Sequence, residues 1–154
     1  MRQDLIQKLI TKYPNLYRDF VNAKGPRGYM SVGNGWFPLI NDLSSKLEKM
    51  ILKLPENKQK YYKATQIKQK WGGLRYYMND RTAEMRIVME DAERESWITC
   101  EVCGKPGKLN QQVMGKWVTV SCKDHTELTS LRDIEPVDIN WLVKISSTIA
   151  RLVY

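Results

Sequence analysis

All three cysteines and the one histidine of this chain fall in a single stretch, Cys100-Glu101-Val102-Cys103 and then Cys122-Lys123-Asp124-His125. Pairs spaced C-x-x-C and C-x-x-H with eighteen residues between them have the spacing of a zinc site, whereas an odd cysteine count fits a disulfide framework poorly. Two residues between ligands let a tight turn aim both side chains, and the turn's N–H groups, at one ion. Gly104, directly after the second cysteine, suits the positive φ of such a knuckle. Four N and S ligands complete a tetrahedral Zn²⁺ shell with no position left for water or substrate, which points to a structural site. A redox role for the first pair leaves the second unexplained. Three thiolates around Zn²⁺ leave one negative charge, so metal binding barely alters the chain's charge.

The second group of residues with chemical potential is basic. Between Lys58 and Arg75 stand five lysines, one arginine and no acid, while the rest of the chain carries 19 bases against 17 acids. The formal net charge of +8 is thus concentrated in one segment. Tyr61, Tyr62, Trp71, Tyr76 and Tyr77 lie in or beside it, and bases interleaved with aromatics suit phosphate contact and base stacking. Lys68, Lys70, Gly72, Gly73, Arg75 and Tyr77 form the candidate anion site, the glycines letting backbone N–H groups approach a phosphate. Together with the glycine-rich stretch 25–35, the same cations could frame a pocket for a phosphorylated nucleotide. The simpler alternative is a solvated lysine face that prevents edge-to-edge pairing of strands.

These residues need elements to position them. Leu5, Ile6, Leu9, Ile10 and Tyr13 recur at helical spacing up to Pro14, and Leu16 to Val21 suit a further turn. Asn22 to Gly35 reads as a long turn-rich loop. Leu39, Ile40, Leu43, Leu47, Ile51 and Leu54 define an amphipathic helix with Pro38 in its first turn, and core packing is its simplest role. Residues 61–78 read as extended. A one-residue bulge at Gly72-Gly73 would put Ile67, Trp71, Leu74, Tyr76 and Met78 on the core side and Lys68, Lys70, Arg75 and Tyr77 on the other. A helix is expected from Thr82 to Trp97, capped by Asn79 or Asp80, with Met85, Val88, Met89 and Ala92 inward. Lys108–Val113 and Trp117–Val120 read as a hairpin turning at Gly115-Lys116, and a last helix follows Pro136 with Trp141, Leu142, Ile145, Ile149 and Leu152 on one side. The expected fold is α+β: about four helices, a small antiparallel sheet and a zinc-ribbon or treble-clef-like unit.

At 154 residues the chain suits one domain, 1–154, with the zinc unit at about 98–126 inserted before the last helix. A hydrophobic content of 42% excludes a wholly disordered chain, and no apolar run approaches the ~20 residues a bilayer requires. The start Met1-Arg2-Gln3-Asp4 lacks a signal pattern, so a cytoplasmic location is expected. With its only histidine assigned to zinc and no cysteine to spare, the chain lacks the common nucleophile–base pairs, and a non-enzymatic role is expected.

The series Gly35-Trp36-Phe37-Pro38-Leu39-Ile40, Lys68-Gln69-Lys70-Trp71-Gly72-Gly73-Leu74-Arg75 and Cys100-Glu101-Val102-Cys103-Gly104 resembles a family of small uncharacterised proteins of bacteria and tailed phages. Members carry a tryptophan-led helix, a K-x-K-[FW]-G-G-L-R strand and a C-x-x-C-G knuckle. The likeness spans about Gly35 to His125 and carries over the zinc ligands alone; His125 stands where a cysteine is as common. It implies a phage or mobile-element setting inside a host cell. The expected function is therefore a zinc-containing, phage-type binding protein for an anionic ligand, nucleic acid or phosphorylated nucleotide, that counters host defence. The alternative is an inhibitor or adaptor that grips a host protein.

Overall fold

The computed structural model describes residues 1–21, 29–111 and 118–126. The first helix, α1 (Gln3–Lys12), buries Leu9 and Ile10 and ends before Pro14, with Asp4 and Lys12 placed to suit its dipole. A single turn, α2 (Arg18–Val21), follows. Strand β1 (Tyr29–Ser31) leads to a 3₁₀ turn at Asn34–Trp36 and then to α3 (Phe37–Leu52). Pro38 sits in the first turn of α3, where its missing N–H costs nothing, and Leu39, Ile40, Leu43, Leu47 and Ile51 form the buried stripe. A second single turn, α4 (Glu56–Gln59), precedes strands β2 (Ala64–Lys70) and β3 (Gly73–Met78). Helix α5 (Ala83–Ser96), strands β4 (Lys108–Gln111) and β5 (Val118–Ser121), and the single turn α6 (Lys123–Thr126) complete the described chain.

The α+β class stands, with six helices among the described residues rather than about four. Three are the long ones expected from periodicity. The others are four-residue turns, too short to leave a periodic signal. The helix expected after Pro136, the turn at Gly115-Lys116 with Trp117, and the 22–28 part of the expected loop lie outside the described residues.

The expected small antiparallel sheet is present in the β2–β3 and β4–β5 pairs, and β1 adds a parallel strand to the first of them, in the order β1-β2-β3 with Met30 opposite Ile67. The glycine-rich stretch therefore contributes a strand, and α3 lies in the crossover that a parallel pair requires. Residues 64–78 also form a hairpin, not one strand with a bulge at Gly72-Gly73. Lys70 pairs with Gly73, leaving Trp71 (φ 58°) and Gly72 (φ 85°) as a two-residue turn with both residues left-handed. This reversal places Ile67 opposite Tyr76 and Lys68 opposite Arg75, which restores the two-faced pattern without a bulge there; the register slips instead between Ala64 and Gln66. Ile67, Leu74, Tyr76 and Met78 are buried as expected, but Trp71 is on the surface.

The cap of α5 is Thr82, whose side chain accepts the Met85 N–H at 3.3 Å, in place of Asn79 or Asp80. The other end of this helix seals the sheet: Leu74 donates its N–H to Ser96 Oγ at 2.9 Å, and Arg75 pairs with Glu93. The core gathers Trp36, Tyr17, Leu16, Leu43, Leu47, Ile67 and Met85 between the helices and one sheet face. Its polar groups are satisfied internally. Ser44 Oγ donates to Ile40 O and bonds the Tyr17 hydroxyl at 2.6 Å, and Tyr76 donates to Tyr17 at 3.1 Å. Glu48 accepts the Leu16 N–H at 2.8 Å, bracing the turn after Pro14.

Candidate metal centre

Cys100 and Cys103 sit on a knuckle between α5 and β4; Cys122 precedes α6 and His125 lies within it. The β4–β5 hairpin, with Leu109 opposite Val120, joins the two pairs. The knuckle turns as the spacing requires: Gly104 donates to Cys100 O at 2.8 Å with φ 79°, and Cys100 donates to Lys105 O at 2.8 Å. His125 donates its N–H to Cys122 O at 3.0 Å, folding the second pair likewise.

The four ligand atoms all lie within 4.8 Å of one another. Cys103 Sγ is 3.6 Å from Cys122 Sγ, and His125 Nδ1 is 3.7 Å from Cys100 Sγ and 3.2 Å from Cys122 Sγ. Zinc bonds of ~2.3 Å to sulfur and ~2.0 Å to nitrogen in a tetrahedron give edges of roughly 3.5–3.8 Å, so the cluster has the dimensions of a tetrahedral metal shell. Burial disfavours the Cys100 thiolate, but the N–H groups of Cys103, Cys122 and Val102 outweigh it and bring the thiol down to about 7. The Lys105 N–H favours the Cys103 thiolate, yet desolvation and the thiols of Cys100 and Cys122 raise it. Three sulfurs this close cannot all ionise without a cation among them, which is what a metal supplies. Lys105 Nζ and Asp124 Oδ2, 2.8 Å apart, clip the two knuckles together on the outside.

The centre is welded to the core through residues whose role the spacing does not reveal. Glu101, inside the C-x-x-C, donates to Val120 O at 2.9 Å and accepts the Gly35 N–H at 2.8 Å. Its carboxylate accepts the Gly33 N–H at 2.9 Å and the Thr119 hydroxyl at 3.2 Å. The buried Trp36 donates its indole N–H to Thr99 O at 2.8 Å.

The residues expected to bind an anion are partly brought together. Lys68, Lys70, Arg75 and Tyr77 share the outer face of the β2–β3 hairpin, and Lys68 Nζ lies 5.4 Å from the centre of the Tyr77 ring. Arg75, however, is occupied by Glu93, and Lys63 pairs with Asp19 at 2.8 Å. Gly72 and Gly73 are not open cradles. A Cβ on Gly72 would lie 2.2 Å from Leu109 Cδ1, and one on Gly73 would lie 2.7 Å from Trp97 Cζ2, so their smallness admits the β4–β5 hairpin and the residue that ends α5. Gln69 reinforces the contact by donating to Val118 O.

No family model, curated protein or solved structure matches the chain. The fold and site define a small α+β protein with a Cys₃His cluster positioned to chelate a metal ion beside a zinc-ribbon-like hairpin. Among the described residues no helix is long and apolar enough to cross a membrane.

Proposed function

We propose that this is a non-enzymatic, phage-type binding protein in which a structural Zn²⁺ holds the knuckles and the outer face of the β2–β3 hairpin takes the phosphates of a nucleic acid. The observation that carries the reading is the composition of that face. Lys68 and Lys70 stand on one strand, two residues apart, beside Tyr77, and neither has an ion pair among the described residues. Cations left without an ion pair suit a polyanion better than they suit stability. Zinc bound by Cys100, Cys103, Cys122 and His125 would supply no chemistry to a ligand. Its work is to fix the β4–β5 hairpin against Gly72 and so hold the end of the binding strand pair in place.

The setting inside a host cell, and an action against host defence, rest on the likeness of the Trp36-led helix, the Lys68–Arg75 strand and the Cys100–Gly104 knuckle to phage-type proteins. The binding surface is tested by anisotropy of a labelled oligonucleotide between ~50 and ~200 mM salt. Affinity falls steeply with salt, and Lys68→Ala with Lys70→Ala removes it while the melting temperature stays put. Binding indifferent to both substitutions rejects the surface.

A further inference from the structure

Trp71 is placed against both of its natural preferences. It is 60% exposed, although a tryptophan gains most by burial, and it holds φ 58° at the first position of the hairpin turn, where asparagine, aspartate or glycine is favoured. Bulky residues seldom adopt this backbone, and such outliers cluster at functional sites. The turn that carries it is also anchored: Gly72 packs on Leu109 and Val118, and Gln69 donates to Val118 O. An aromatic ring is thus held out into solvent on a rigid support, next to Lys70.

We infer that Trp71 is a base-stacking residue and that the ligand of this face is single-stranded nucleic acid; the inference rests on the anion-binding reading above. The layout along the strand favours it. Tyr77, opposite Gln66, and the Trp71 turn, directly after Lys70, bracket Lys68 and Lys70. Gln66 and Lys70 are four strand steps apart, roughly 14 Å, so two exposed aromatics stand at the ends of a stretch holding two cations, over the length of a few nucleotides. Single strands are bound in this way, by aromatic platforms between phosphate-contacting cations, because every base offers a π-face and an unpaired strand leaves it free. A duplex, with its bases stacked inside, would reach the lysines but not use Trp71.

The test compares the intact protein with Trp71→Asn and Trp71→Phe on three probes: an oligothymidylate, an abasic strand of the same length, and a duplex. Asparagine suits the left-handed turn, so Trp71→Asn is expected to keep or raise the melting temperature while weakening oligothymidylate binding at least tenfold. Trp71→Phe retains most of the affinity. The abasic strand binds the wild type about as weakly as oligothymidylate binds Trp71→Asn. Equal wild-type binding of abasic and thymidylate strands, or no effect of Trp71→Asn, overturns the stacking role and leaves the anion surface standing. A preference for the duplex does the same. Failure of the wild type to bind any of the three probes overturns the surface itself.

Discussion

Gly35 and Gly104 meet backbone to backbone: a Cβ on Gly35 would stand 2.4 Å from Gly104 N and 2.3 Å from Cys100 O, and one on Gly104 would stand 2.9 Å from Gly35 O. The turn that starts α3 and the turn that carries Cys100 and Cys103 are therefore in direct contact, with no side chain between them. Gly35→Ala must push apart two stretches of main chain, one of which carries Cys100 and Cys103 of the candidate metal cluster. We expect a loss of about 3 kcal/mol in denaturant unfolding, at the upper end for overpacked sites, because the atoms it meets are backbone and cannot swing aside. Metal content after purification should fall with it, and an unchanged unfolding midpoint would show that the contact yields freely.

Removing the metal should act on the same seam. The purified protein is expected to hold about one zinc per chain by elemental analysis, and Cys103→Ser to lower both occupancy and melting temperature. Since the ligands bind deprotonated, acid competes with the metal, so occupancy should decline as pH falls below neutrality. A metal-free wild type of full stability would refute the structural assignment.

The Cys₃His cluster was legible because scarce residue types at fixed spacing leave few other readings, and α3 because five apolar residues repeat at helical period. Gly104 was legible because its positive φ follows from the knuckle alone. The weld between knuckle and core was not. Glu101 acts on Gly33, 68 residues earlier, and no local pattern records such a partner. Strand β1 has three residues, too few for alternation to register. Trp71 misled because it keeps the period of Ile67 while standing in a turn; Gly72-Gly73 carried a hairpin signal, but the usual asparagine or glycine before it was absent. The outer-face cations were legible as a set, whereas the neutralisation of Arg75 depends on where α5 comes to rest.

The buried hydroxyl chain sets an alkaline limit. Burial pushes Tyr17 up to about 12, and burial together with the neighbouring Tyr17 raises Tyr76 well above the ordinary tyrosine value. The folded state therefore keeps protons that the unfolded state gives up near pH 10. Stability is full below pH 10 and declines as pH rises through about 12, at about 1.4 kcal/mol per pH unit for each tyrosine that stays protonated. Tyr76→Phe should cost about 1 kcal/mol at neutral pH by removing the donor to Tyr17, and should make the alkaline decline shallower. Urea unfolding at pH 8, 10 and 11, with absorbance at 295 nm to follow phenolate, checks both. A Tyr76→Phe protein with the wild-type slope would show that Tyr76 ionises freely in the folded state.

Among the described residues, Glu93 is the acid that pairs with an outer-face cation, and its pairing with Arg75 makes it a built-in competitor for any phosphate there. Glu93→Gln keeps the shape and leaves the backbone carbonyl that accepts from Ser96 untouched, while releasing the guanidinium. The pair is partly exposed, so its loss should cost no more than about 1 kcal/mol of stability. Binding should respond far more. One further cation available to the strand makes the plot of log affinity against log salt steeper by ~0.7 for single-stranded DNA and raises affinity severalfold at ~50 mM salt. Arg75→Ala in the same background should cancel the gain. If Glu93→Gln binds as the wild type does, Arg75 serves only to tie α5 to the sheet, and the binding surface narrows to Lys68, Lys70 and their aromatic neighbours.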